Sequence, residues 1–264
     1  MRAIVEACAE LGSPAIIGTS EGERTHIGLA EAVALRDILA REYGIPVFLN
    51  ADHTKSVAAA KTAIDAGYDS VHIDLSALPL EENIKGTAEV VEYARFKVAS
   101  LKFQVNIEGE LGILKGESKI QNEKIEVTSE DYTKPEEAAE FVQRTGVDRL
   151  AIMVGNIHGI SLEEPSLDIG RIRAIRAAVP FETALVLHAA SGIADSEIRE
   201  AIAAGIVNIH INTDLRVAYV NELKKSLEAH VDEAAMYKID AASARAMKEI
   251  VKGKLHLFGC INKL

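Results

Sequence analysis

Short runs rich in Val, Ile and Leu alternate with longer segments rich in Ala, Glu, Lys and Arg along the chain, and this alternation limits the fold more than any other feature. The apolar runs are Ala15–Gly18, Pro46–Asn50, Ser70–Asp74, Phe103–Glu108, Arg149–Gly155, Ala184–His188 and Val207–Asn212. Nearly continuous apolarity of that length suits parallel strands covered on both faces. The segments between them read as amphipathic helices: Leu29–Tyr43, Val57–Ala66, Glu81–Ser100, Pro135–Arg144, Ile169–Ala178, Asp195–Ala204, Asp214–Ala229 and Ala241–Val251. Alternation of this kind is the pattern of an α/β protein.

An internal echo narrows the class. The stretch Ala63-Ile64-Asp65-Ala66-Gly67 leading into Val71-His72-Ile73-Asp74 resembles Ala201-Ile202-Ala203-Ala204-Gly205 leading into Ile209-His210-Ile211-Asn212, and Thr145-Gly146-Val147-Asp148 begins a looser third copy. In each, Gly stands where a left-handed residue ends a helix and a strand follows. Repeated units of this kind favour a (β/α)8 TIM-barrel type of fold over a doubly wound sheet. No strand is followed by G-x-G-x-x-G, which also counts against a dinucleotide fold. The 264 residues match one barrel domain spanning 1–264. Seven strands are identifiable. The chain opens in a helical pattern, Met1–Leu11, so the first strand of an eight-stranded barrel is expected to be missing. Leu111–Thr133 reads as one long irregular segment, of a length at which a loop is usually functional or mobile.

Charge and composition exclude several partners. With 29 basic against 40 acidic residues the net charge is −11, unsuited to nucleic acid or an anionic membrane. Aromatic content of 5% without Trp offers little for base stacking. A small anion stays within reach, because a helix N-terminus holds phosphate through backbone N–H groups. Cys8 and Cys260 make no disulfide framework, no apolar run is long enough to span a membrane, and charged residues interrupt the N-terminal helix. A cytoplasmic location is expected.

Polar residues collect where the strands end: Asp52-His53, Asp74, Glu108 and Glu110, Asn156 and His158-Gly159, His188, and Asn212-Thr213. That rim holds the active site of a (β/α)8 barrel. Three histidines at separate strand ends, beside carboxylates, suit a catalytic zinc with an open fourth position. Taken singly, each also suits a capped loop or a satisfied core histidine.

The motifs Leu49-Asn50-Ala51-Asp52-His53, Ile73-Asp74-Leu75-Ser76, Glu108-Gly109-Glu110-Leu111-Gly112, Gly155-Asn156-Ile157-His158-Gly159 and Leu187-His188-Ala189-Ala190-Ser191-Gly192 occur in this order, with Ser20-Glu21-Gly22 and Asn212-Thr213-Asp214 beside them. Together they resemble the class II, zinc-dependent fructose-bisphosphate aldolases. The resemblance implies that His53, His158 and His188 bind Zn²⁺, that Glu110 holds the metal in an alternative outward position, and that Asp52 moves the proton of the C4 hydroxyl. It implies further that Ser20, Gly159, Ser191, Gly192, His210, Asn212 and Thr213 contact the phosphorylated sugar. Glu117, in the Leu111–Thr133 segment, is the candidate for a second acid–base group. The implied activity is reversible cleavage of a ketose 1,6-bisphosphate, with fructose 1,6-bisphosphate first, to dihydroxyacetone phosphate and an aldehyde such as glyceraldehyde 3-phosphate. A monovalent cation is a candidate second ion, and a homo-oligomer, dimer or higher, is expected.

Departures keep other readings open. The family's phosphate loop usually has Gly where Ala189 and Ala190 stand, and a Cβ is costly wherever φ is positive. His210 stands where the family often has Asn, Asn212 where it often has Asp, and Leu75 replaces a common Gly. A relative that binds metal or phosphate without turnover, and an aldolase of changed sugar specificity, are the alternatives. Lys55 and Lys134 sit in polar, helix-starting sequence and read as solvated, not as Schiff-base lysines. Cys260 has no partner pattern, and no nucleophilic role is assigned to it.

Overall fold

The computed structural model describes residues 1–101, 104–161 and 166–264, the side chains of 98–101 excepted. Nine strands occur among these residues: β1 (Ala15–Thr19), β2 (Val47–Thr54), β3 (Ser70–Ile73), β4 (Asn106–Leu111), β5 (Gly116–Ile120), β6 (Arg149–Ile152), β7 (His158–Ile160), β8 (Ala184–Leu187) and β9 (Ile206–Ile209). The helices are α1 (Arg2–Glu10), α2 (Glu21–Ile27), α3 (Leu29–Tyr43), α4 (Val57–Ala66), α5 (Leu80–Leu101), α6 (Pro135–Thr145), α7 (Ile169–Ala178), α8 (Asp195–Ala204), α9 (Thr213–Ala229), α10 (Met236–Ile239) and α11 (Ala241–Phe258).

Seven strands form one parallel sheet in the order β1-β2-β3-β4-β6-β8-β9, and β5 pairs with β7 in a second, two-stranded sheet. These seven are the seven expected from the apolar runs. The main sheet is strongly curled. Asp52 on β2 lies 3.3 Å from His210, just beyond β9, although these strands stand five places apart. In a flat sheet they would be about 24 Å apart. Arg149 on β6 likewise donates to Asn50 Oδ1 on β2 at 3.2 Å. The chain therefore adopts the expected barrel-type α/β architecture as a curled seven-stranded sheet, with β1 and β9 not paired to each other.

Curling separates two faces with different chemistry. The convex face packs against the helices and carries Val47, Leu49, Val71, Ile73, Ile107, Leu150, Ile152, Leu185 and Leu187, all buried. The concave face carries Asn50, Ser70, His72, Glu108 and Glu110, equally buried but polar. Ile16 and Phe48 pair in register on the two strands at one end of the sheet and remain about half exposed.

Helix ends follow local chemistry. Ser20 and Glu23 form a reciprocal capping box on α2, and Ser56 accepts the Ala59 N–H at the start of α4. Gly67 and Gly205, the paired glycines of the echo, have φ of +98° and +120°, as their place after a helix requires.

Several boundaries move. β2 continues past Asn50 to Thr54, bringing Asp52 and His53 into the strand, and α11 runs on to Phe258 rather than Val251. The expected strand start at Phe103 lies outside the described residues. Leu111–Thr133 is not irregular throughout: Gly116–Ile120 forms β5, and Ser129–Asp131 makes a 3₁₀ turn. All five β5 residues are exposed, so this strand has no apolar signature to read. Gln121 braces it, donating from Nε2 to Glu117 O and His158 O at 2.7 and 2.8 Å.

Candidate metal centre and active site

Asp52 and His53 occupy the end of β2, where the register with β3 shifts between Ala51 and Thr54. Arg24, reaching from α2, fixes this end. Its Nη1 donates to Thr19 O and, at 3.1 Å, to Asp52 O, while Nη2 donates to Thr54 Oγ1 at 3.1 Å. His53 holds a φ of +42°, uncommon for a residue with a Cβ. Its Nδ1 is 2.8 Å from Asp74 Oδ2, beside the Lys55 ammonium, which also contacts that oxygen. Ser76 Oγ donates to Asp74 Oδ1 at 2.7 Å, so both oxygens of this carboxylate are held.

His188 follows β8. Its Nε2 lies 2.6 Å from Glu108 Oε1, and its backbone carbonyl accepts from Asn156 Nδ2 at 3.1 Å. His158 opens β7, where its N–H donates to Lys115 O at 2.8 Å. The three rings meet in one pocket, which Asp52 also lines. The His53 ring centroid stands 5.0 Å from that of His158 and 4.8 Å from that of His188.

The same pocket is lined by Ser20, Gly159, Ser191, His210, Asn212 and Thr213. Gly159 tolerates no side chain, since a Cβ would stand 2.2 Å from Lys119 O. Gly192 and Glu110 are not among the lining residues, Glu110 being buried beneath. Glu117 is not there either: it is exposed and paired with Lys119 at 2.7 Å, while its neighbour Ser118 faces the pocket. Ala189 has a φ of +55°, so the position where the family usually has Gly does sit in the left-handed region. Ala190 does not, and its methyl is buried.

Electrostatics favour a cation. Burial, with neighbouring imidazoles, pushes His158 down to about 4 and His188 down to about 3. Both are therefore neutral near pH 7, the form that ligates metal. Burial opposes ionisation of Asp52, but the facing imidazoles of His210 and His72 outweigh it and hold the carboxyl well below its ordinary value. Burial lowers the proton affinity of His72 and the surrounding carboxylates raise it, with the carboxylates prevailing. The His53 backbone N–H lies 3.2 Å from His72 Nδ1, and His72 Nε2 faces Glu110 Oε2 at 3.0 Å.

The donor set fits a divalent metal. Asp52, His53, His72 and His188 offer ligand atoms within 4.8 Å of one another, as do His53, His72, Asp74 and Glu110, and also Glu108, His188 and His210. His158 belongs to none of these sets and joins the cluster through its ring contact with His53. Asp52 Oδ1, His72 Nε2, Glu108 Oε2 and Glu110 Oε2 are buried without an aligned hydrogen bond, as expected where an ion completes the arrangement.

His72 and Glu108 had no assigned role in the sequence, and Arg149, 3.1 Å from Glu108 Oε2, had none either. A signal was present. Asn50 and Asp52, Ser70 and His72, Glu108 and Glu110, and Asn208 and His210 each stand two apart in otherwise apolar strands. A period of two places each pair on one face.

The family model for class II fructose-bisphosphate aldolases matches residues 1–263. The D-tagatose-1,6-bisphosphate aldolase subunit GatY of Klebsiella oxytoca is 34% identical over 266 residues, covering 100% of this chain and 89% of that protein. The crystal structure of the YdjI aldolase from Escherichia coli superposes with a TM-score of 0.78 at 31% identity, over 99% of this chain and 88% of that one. A Campylobacter jejuni fructose-bisphosphate aldolase shares the fold at 21% identity, with a TM-score of 0.78 over 99% of this chain and 87% of that one. Class II aldolases are metal-dependent lyases, and the buried His–carboxylate cluster can bind a metal. The chain belongs to the class II fructose-bisphosphate aldolase family.

Proposed function

We propose that this aldolase cleaves a ketose 1,6-bisphosphate reversibly to dihydroxyacetone phosphate and an aldehyde, with zinc held by His53, His158 and His188. The observation that carries this reading is an ionised, half-buried Asp52 placed beside three imidazoles, two of them kept neutral, in one pocket. A bound divalent cation supplies Lewis-acid polarisation of the substrate ketone.

The chain's own groups do the rest. Asp52 takes the proton of the C4 hydroxyl. The C4–O bond becomes a carbonyl as the C3–C4 bond breaks, and that electron pair passes into the enediolate of dihydroxyacetone phosphate. Protonation at C3 completes the cleavage. Glu117 is the group proposed for that step, and reaching the substrate requires it to leave Lys119. Ser191, Thr213 and the backbone of Gly159 and Gly192 hold the phosphate next to the start of α8, where N–H groups are unpaired. Ser20, His210 and Asn212 line the space for the sugar hydroxyls, and Glu110 lies below as an alternative carboxylate ligand.

Fructose 1,6-bisphosphate is the first substrate to test. The tagatose-bisphosphate relative, together with His210 and Asn212 at hydroxyl-contacting positions, supports its C4 epimer as the second reading. A coupled assay of metal-loaded protein with each sugar is expected to show cleavage that a chelator abolishes. Absence of cleavage of both sugars by metal-replete protein would contradict the proposal.

A further inference from the structure

Asp52 Oδ1 is buried, makes no aligned hydrogen bond, and faces three imidazole nitrogens: His210 Nδ1 at 3.3 Å, His72 Nδ1 at 3.6 Å and His188 Nδ1 at 4.0 Å. The three are not equivalent. His72 Nδ1, farther from Asp52, also faces the His53 backbone N–H at 3.2 Å. His188 carries its proton on Nε2, toward Glu108 Oε1 at 2.6 Å, which leaves Nδ1 as a lone pair for a cation. His210 is different. The Asn208 amide Nδ2, two residues earlier on the same face of β9, lies 3.5 Å from His210 Nε2. An amide nitrogen can only donate, so this contact favours the tautomer with the ring proton on Nδ1, the nitrogen nearest Asp52.

We infer that His210 is a positioning residue for the aldol step, donating its Nδ1 hydrogen to Asp52 Oδ1 and so fixing the carboxylate against the substrate hydroxyl. The role in catalysis rests on the aldolase reading above, whereas the hydrogen bond itself does not. The His210 ring is braced for this task, packing on His188 with centroids 4.0 Å apart at 41°. One carboxylate oxygen is thereby engaged, and Oδ2 is left to receive the proton. An Asn side chain at 210 places an amide N–H the same number of bonds from the backbone as His Nδ1. A Leu side chain fills similar space and has no donor.

Two measurements decide the matter. In protein labelled with ¹⁵N-histidine and loaded with zinc, the His210 resonance, identified by its loss in His210→Asn, is expected to report the Nδ1–H tautomer with a slowly exchanging proton. The Nε2–H tautomer would overturn the inference whether or not the protein turns over any sugar. With whichever of fructose or tagatose 1,6-bisphosphate is cleaved, His210→Leu is expected to lower kcat on the order of 10- to 100-fold while leaving KM within about threefold. His210→Asn should restore most of kcat. Equal losses in the two variants, or a loss confined to KM, would place His210 in substrate binding or general structure and overturn the positioning role. Failure of the wild-type protein on both sugars would remove the catalytic half of the inference along with the aldolase reading, and the tautomer would still decide the hydrogen bond.

Discussion

His188 Nε2 and Glu108 Oε1 are 2.6 Å apart with both side chains buried, and Arg149 Nε holds the other carboxylate oxygen at 3.1 Å. This Arg–Glu–His chain runs across the concave face of the sheet from β6 through β4 to the end of β8. It leaves His188 Nδ1 as a lone pair and sets the plane of its ring, the arrangement in which a carboxylate orients a metal-binding imidazole.

Weakening that chain should loosen the metal without removing a ligand. Glu108→Gln is expected to lower zinc affinity roughly 10- to 100-fold, measured by competition with a chromophoric chelator. Unchanged affinity would detach Glu108 from the metal centre.

Asp52 is the proposed proton acceptor and not one of the three imidazole ligands. Asp52→Asn should therefore retain one tightly bound metal per chain by elemental analysis while cleavage falls by about 100-fold or more. A variant that lost the metal in the same proportion as its activity would make Asp52 a ligand.

Ala189 and Ala190 can be separated by backbone angle. Ala189, at φ +55°, is in the region where a Cβ costs about 1–2 kcal/mol, so Ala189→Gly should stabilise the fold by about 1 kcal/mol. Ala190→Gly frees no strain and removes a buried methyl, and should destabilise it. Thermal or urea unfolding of the two variants checks the opposite signs.

The metal-free protein should become less stable in mild acid. Unfolded imidazoles take up protons near their ordinary value of 6.5, whereas folded His158 and His188 resist until about 4 and about 3. Between those limits the unfolded chain binds more protons, so stability falls as pH drops below about 6.5. The depressed carboxyls of Asp52, Glu108 and Glu110 act in the same direction at still lower pH. His72, whose proton affinity is raised, loses its contribution only as pH rises. Urea midpoints of chelator-stripped protein at pH 7 and pH 5 should show the drop, and His158→Gln should shrink it.

Much of this architecture was legible in the sequence because parallel strands covered by helices need apolar residues, and the seven runs supplied them. The motif residues Asp52, His53 and His188 were legible for another reason: each stands at or near the end of a strand where the curled sheet converges, whereas His158 opens β7 of the second sheet. His72 was not, because it lies inside a run otherwise read as core, and only its two-residue spacing from Ser70 and Asp74 marks the concave face. β5 was hidden because an exposed strand held by Gln121 and β7 needs no apolar side chains. The Glu117 assignment depended on a segment whose backbone the sequence described only as irregular, and its carboxylate points to Lys119.

Anomalous diffraction at the zinc edge, from crystals grown with the metal, locates the ion and its ligands. One strong peak is expected in the pocket with nitrogens of His53, His158 and His188 each about 2.0–2.1 Å away. A peak seated instead among Glu108, His188 and His210, with His158 uninvolved, would contradict this assignment.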